Sequence, residues 1–210
     1  MDDNAFGDNP VLPKDIRGIF MWLCQELASL HNEWQFYLAL GTGEQSTHLL
    51  SELASGSFVI IEQSLRRDIA TSICRLCDPP RTMGKLNLSL QTLAEKCQEL
   101  DGLRELLKEF LGACEPVLQY RHKLVAHRDL NTTLKQQDNP LAPIDRTQIE
   151  TILDLAGRIL NLVYRHFTAM ELAFTPSLIG GADTLLYWLS VAKKAKETGI
   201  APGDDRLRWR

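Results

Sequence analysis

Gln119-Tyr120-Arg121-His122-Lys123-Leu124-Val125-Ala126-His127-Arg128-Asp129 sets two histidines, three further cations and a carboxylate around a short apolar run. At about 100° per residue, Phe110, Cys114, Val117, Leu118, Leu124 and Val125 all fall within roughly 60° of Arg121 on a helical wheel. The stretch therefore reads as the later part of an amphipathic helix, with Arg121 in the middle of its apolar stripe. A guanidinium keeps its charge, and burying it unpaired is costly. Arg121 thus needs a carboxylate partner, a ligand or a wet cleft.

Upstream, the helix carrying this stretch is expected to begin at an Asp101 cap and to run through Leu103, Leu106, Leu107 and Phe110. Pro116 falls inside it. Its ring would meet the carbonyl of Gly112, which predicts a kinked but continuous helix. Before it, Ser89 reads as the cap of a short helix from Leu90 to about Gln98. Arg81 to Asn87 reads as a basic, glycine-containing loop behind the Asp78-Pro79-Pro80 stop.

Further back, Ile16, Ile19, Phe20, Leu23, Leu27, Leu30, Trp34, Tyr37 and Leu38 recur at helical spacing and predict a long helix closed by Gly41-Thr42-Gly43. A second helical region is expected from about Glu44 to Cys77, weakened near Ser55-Gly56-Ser57. Phe58, Ile61, Leu65, Ile69, Ile73 and Leu76 form its stripe, with Glu62 and Asp68 on the shoulders as natural partners for Arg121. Downstream, residues 130–143 read as a long loop. Thr147 is expected to cap a helix striped by Ile149 through Phe174, and a last helix runs from about Asp183 to Glu197. Trp22, Trp34 and Trp188 lie in or beside apolar stripes, where core packing is the expectation. The fold class is all-α: a bundle of four long helices with additional short ones, residues 13–198 forming one domain between a polar start (1–12) and a charged tail (199–210).

Composition sets the frame. The chain has 210 residues, 44% hydrophobic and 24% charged, with a formal charge of −4. That balance argues against bulk coating of nucleic acid or anionic membrane, while leaving room for local basic patches. Five cysteines, an odd number without disulfide-like rhythm, fit a reducing compartment. No run approaches the roughly 18 apolar residues that span a bilayer. A cytoplasmic protein without membrane partners is the expectation.

With the helices placed, Arg121 through His127 is similar to the Arg-x(4–6)-His signature, with a polar residue directly after the arginine, of the HEPN superfamily (higher eukaryotes and prokaryotes nucleotide-binding). The longer string through Arg128-Asp129 resembles its abortive-infection, AbiU-type branch. So do Leu65-Arg66-Arg67-Asp68 through Arg75-Leu76-Cys77-Asp78-Pro79, and Asn87-Leu88-Ser89-Leu90. The resemblance implies a HEPN-like bundle and a metal-independent endoribonuclease of a phage-defence or toxin–antitoxin system. It further implies a two-fold homodimer acting on RNA, with an antitoxin protein as a candidate partner and no cofactor. Arg121 and His127 are then the catalytic pair by motif position, and His122 would orient or assist.

The residue types suit that chemistry. A histidine near neutral pKa can move the protons of a 2′-hydroxyl attack, and a planar guanidinium binds phosphate oxygens bidentately. Six positions separate Arg121 from His127, about 120° on an ideal helix. Either the helix ends near Ala126, or a second copy of the motif completes the site. Asp68, Glu62 and Asp129 are the supporting carboxylates, and Arg67, Arg75, Lys123 and Arg128 the candidate RNA contacts.

Plainer readings stand beside these. His127 could serve only the helix dipole, and Arg121 only a structural ion pair. His122, His127 and Asp129 lack the spacing of a metal site, and Cys74-x-x-Cys77, a lone pair inside a helix, reads as two buried thiols. A non-catalytic bundle that binds RNA, a nucleotide or a protein is the alternative function.

Overall fold

Apolar residues spaced three and four apart recur through most of the chain, and in the computed structural model they form helices that turn those stripes inward. The structure describes residues 12–41, 43–122, 145–174 and 181–198. In chain order these give α1 (Lys14–Gly41), α2 (Glu44–Cys77), β1 (Arg81–Thr82), β2 (Lys85–Leu86), α3 (Leu90–Lys96), α4 (Leu103–Tyr120), α5 (Arg146–Thr168) and α6 (Ala182–Glu197). The all-α reading holds, with one two-stranded hairpin where a loop was expected. Arg81 pairs with Leu86 and Thr82 with Lys85, antiparallel.

The described residues fall into two compact units, one drawn from 1–31 and 67–176, the other from 32–66 and 177–210. In the first, α4 packs on α5 and α3 on α4. Phe20 of α1 stacks on Tyr164 of α5, with ring centroids 5.6 Å apart. Phe20, Leu27, Ile73, Phe110, Ile152 and Ile159 are fully buried in this unit. Each such side chain contributes about 1.5–3 kcal/mol by leaving water. In the second unit Leu40, Leu50 and Ala182 are buried beneath Phe36, Phe58, Leu65, Leu186 and Leu189. Lys193 bridges Glu52 at 2.7 Å.

Local chemistry accounts for the helix ends. Ser89 caps α3 as expected, its hydroxyl accepting from the Thr92 N–H at 3.2 Å. Two other caps differ from the sequence reading. Asp145, not Thr147, caps α5 by accepting from the Gln148 N–H at 2.8 Å. Gly102, not Asp101, stands before α4 with φ +78°, a left-handed conformation that suits glycine. The interruption of α2 falls at Ala54 (φ −153°, ψ 43°), one residue before the Ser-Gly-Ser run. Pro116 leaves α4 continuous.

The expected stripe of α5 overruns the helix, which ends at Ala169 in left-handed conformation. Met170 is consequently exposed, while Phe174 lies beyond the helix and returns to meet Gly157 and stack on His31. Trp34 is buried, but Trp22 and Trp188 are 59% and 62% exposed, contrary to the core packing expected of them. Trp22 sits about 100° around α1 from Leu23, outside the stripe that is covered.

Candidate functional site

The end of α4 presents the first half of the Arg-His stretch. Phe110, Cys114 and Val117 are fully buried, so the stripe identified on the wheel does face the core. Arg121 follows one turn after Val117 and caps the helix, its N–H donating to the carbonyls of Val117 and Leu118. Residues 121 and 122 adopt a π-type turn, a local widening that frequently marks functional positions. Both side chains are exposed. Of the alternatives that the stripe left open for Arg121, the structure thus gives a solvent-reached one: Arg121 stays on the line of the stripe and is exposed at the end of α4.

The wall beside Arg121 comes from the C-terminal end of α2. There Cys74 and Cys77 lie against α4, and Cys74 Sγ approaches the Val117 carbonyl at 4.0 Å. Burial pushes the Cys74 thiol up to about 12, with Cys77 and Asp78 adding to the effect and the Arg121 charge opposing it. Cys77 is raised further by its hydrogen bond with the Cys114 thiol and by burial, and it donates to the Ile73 carbonyl at 3.0 Å. These thiols are therefore protonated apolar packing, as the lone Cys-x-x-Cys suggested, joined by Cys114 from α4. All five cysteines are free. Among the described residues no three His, Cys, Asp or Glu side chains come together to hold a metal.

Among the described residues, Asp78 is a carboxylate that feels the Arg121 charge. Burial raises its carboxyl above the ordinary aspartate range, and the charges of Arg121 and then Arg75 pull it back. The sequence offers Asp78 as part of a helix stop and, three residues after Arg75, as an ion-pair partner for it; the structure gives Arg75 to Glu26 instead. The signal was its place four residues after the buried Cys74, just past the end of α2, but its value depends on which end of α4 that segment meets. Glu62 pairs with Arg66 at 2.7 Å, one turn along α2, and Asp68 is exposed on that helix.

Of the candidate RNA contacts, Arg75 is engaged by Glu26 of α1, with Nε and Nη2 at 2.8 and 2.5 Å, and donates to Ser72 Oγ at 2.8 Å. This fork fastens α2 to α1. Arg67 is exposed on α2. His127, Lys123, Arg128 and Asp129 lie outside the described residues.

An all-α chain carrying Arg121 and His122 at an exposed helix end, beside a half-buried acid, matches the class of helical proteins inferred from the Arg-His signature. The comparison with known families names the branch. The family model HEPN_AbiU2, described as AbiU2, matches residues 14–183, and the chain belongs to that family, an abortive-infection branch of HEPN-domain proteins. No curated protein and no solved structure matches it. No helix among the described residues is long and apolar enough to cross a membrane.

Proposed function

We infer that this protein is a metal-independent endoribonuclease, the effector of an abortive-infection or toxin–antitoxin response, acting as a homodimer in the cytoplasm. The observation that carries the reading is the exposure of Arg121 at the tip of α4 in a member of the AbiU2 family. A guanidinium there offers a planar fork to a phosphate.

In the proposed reaction the 2′-hydroxyl of one nucleotide attacks the adjacent phosphorus. The bond to the 5′-oxygen breaks, leaving a 2′,3′-cyclic phosphate and a 5′-hydroxyl. His127 takes the proton from the 2′-oxygen or delivers one to the departing oxygen, Arg121 neutralises charge gathering on the non-bridging oxygens, and His122 orients one of them. Asp78 joins Glu62 and Asp68 as a supporting carboxylate, because its electrostatic coupling to Arg121 would hold the guanidinium in place. The spacing of Arg121 and His127 favours a site shared by two copies. The same Arg121–Asp78 coupling also favours a second reading, a bundle that binds RNA or a protein without cutting, with Arg121 held structurally.

Inducible expression separates them. Wild type should arrest growth and degrade cellular RNA, with an antitoxin, where one exists, relieving the arrest. His127→Ala should do neither while remaining folded. Growth arrest that persists in His127→Ala would favour the non-catalytic reading.

A further inference from the structure

The hairpin between α2 and α3 makes no contribution to the core, yet it is firmly held. Asn87 Nδ2 donates to the Pro79 carbonyl at 2.6 Å and to Thr82 Oγ1 at 2.7 Å, and the Asn87 N–H donates to the Pro80 carbonyl at 2.9 Å. The Asn87 carbonyl accepts from Thr92 Oγ1 at 2.7 Å, and Gln91 Nε2 donates to the Cys77 carbonyl at 2.6 Å. These bonds tie the base of the hairpin to the segment that carries Asp78, the neighbour of Arg121.

The tip is built against conformational preference. Met83 and Gly84 both have positive φ, +50° and +82°, as a two-residue hairpin turn demands. Asparagine or glycine suits the first of these positions; methionine does not. Met83 is nonetheless 99% exposed, so no packing within the described residues compensates for the backbone it adopts. A strained residue held at an exposed tip points toward a partner. On either side of it, all of residues 81–86 are exposed. Pairing puts Arg81 beside Leu86 on one face and Lys85 beside Thr82 on the other. Neither Arg81 nor Lys85 has an ion pair among the described residues.

We propose that the hairpin Arg81–Leu86 is a substrate arm that grips single-stranded RNA flanking the cleaved phosphate. Arg81 and Lys85 hold a phosphate on each face, and Met83 packs its thioether against a base between them. The inference rests on the ribonuclease reading and extends it to how substrate is held. Single-stranded RNA fits better than an acidic peptide because the tip offers both charge and a polarizable apolar surface, the combination that phosphates and stacked bases call for.

The test uses the full chain and a fluorescent 2′-O-methyl oligouridine, which lacks the attacking hydroxyl and reports binding alone, with cleavage of unmodified RNA followed in parallel. Arg81→Gln/Lys85→Gln should weaken binding about tenfold or more and lower the salt dependence of log Kd by about 1.4, the loss of two phosphate contacts on a single strand. Met83→Gly suits the backbone better. It should weaken binding about fivefold, within the range of a sulfur–aromatic contact, with an unchanged or raised melting temperature. Variants that bind like wild type, in a protein that does cut RNA, would overturn the arm and leave the ribonuclease reading standing. A wild type that neither binds nor cuts RNA would remove both. Hairpin-dependent binding of oligoglutamate in place of RNA would overturn the arm in favour of an acidic protein partner.

Discussion

Arg121, one residue past the end of α4, acts on Asp78, one residue past the end of α2: burial lifts the Asp78 carboxyl, and the Arg121 charge draws it down. The net effect is upward, so the folded protein keeps this proton to higher pH than the unfolded chain does. The contribution of Asp78 to stability is then fullest below the usual aspartate pKa and is lost as pH rises through the raised value. Asp78→Asn should flatten that part of the stability profile, read as denaturation midpoints at a series of pH values rising from the ordinary aspartate range. An unchanged slope would show that the carboxyl is not perturbed.

His31 behaves in the opposite sense. Burial lowers its pKa, and the ring stacks on Phe174 with centroids 6.3 Å apart. The stability it lends is present above the ordinary histidine value near 6.5 and is lost as pH falls through the lowered one. His31→Phe keeps the stack and should remove this acid-side loss in thermal melts.

Gly157 lies on the buried face of α5. A Cβ there would meet Phe174 at 3.5 Å and Leu27 at 4.0 Å, ordinary contact distances. Gly157→Ala should therefore gain helix propensity without a clash, raising stability by about 0.5–1 kcal/mol in denaturant titrations. A loss of stability would mean that α5 packs closer to these side chains than the structure places it.

A shared site has a distinctive signature. If Arg121 of one copy works with His127 of the other, mixing inactive Arg121→Ala and His127→Ala proteins by unfolding and refolding should restore about a quarter of the wild-type activity, because half of the random dimers carry one intact site. No recovery would place both residues of each site in one chain.

Periodicity carried most of the fold. The stripe Ile16–Leu38 gave α1 its span, Ser89 announced α3, and the Ser-Gly-Ser run lay one residue from the kink in α2. Failures came where several residues competed for one role. Asp101, Gly102, Asp145 and Thr147 could all stand at helix starts, and only the backbone angle at Gly102 and the Asp145–Gln148 bond decide among them. The site was half legible. The apolar phase of Arg121 was correct, but burial depends on where a helix ends relative to its neighbours, and Asp78 gains meaning only when α2 meets α4. The hairpin escaped notice because two-residue strands leave no alternation to read.

The most direct measurement of the central claim is cleavage of a defined RNA by purified protein in excess chelator. Wild type should yield fragments ending in 2′,3′-cyclic phosphate. Arg121→Ala and His127→Ala should each lose at least about a hundredfold in rate, as removal of an acid–base or charge-stabilising group does, with circular dichroism unchanged. Cleavage that stops in chelator, or that survives in His127→Ala, would contradict the account.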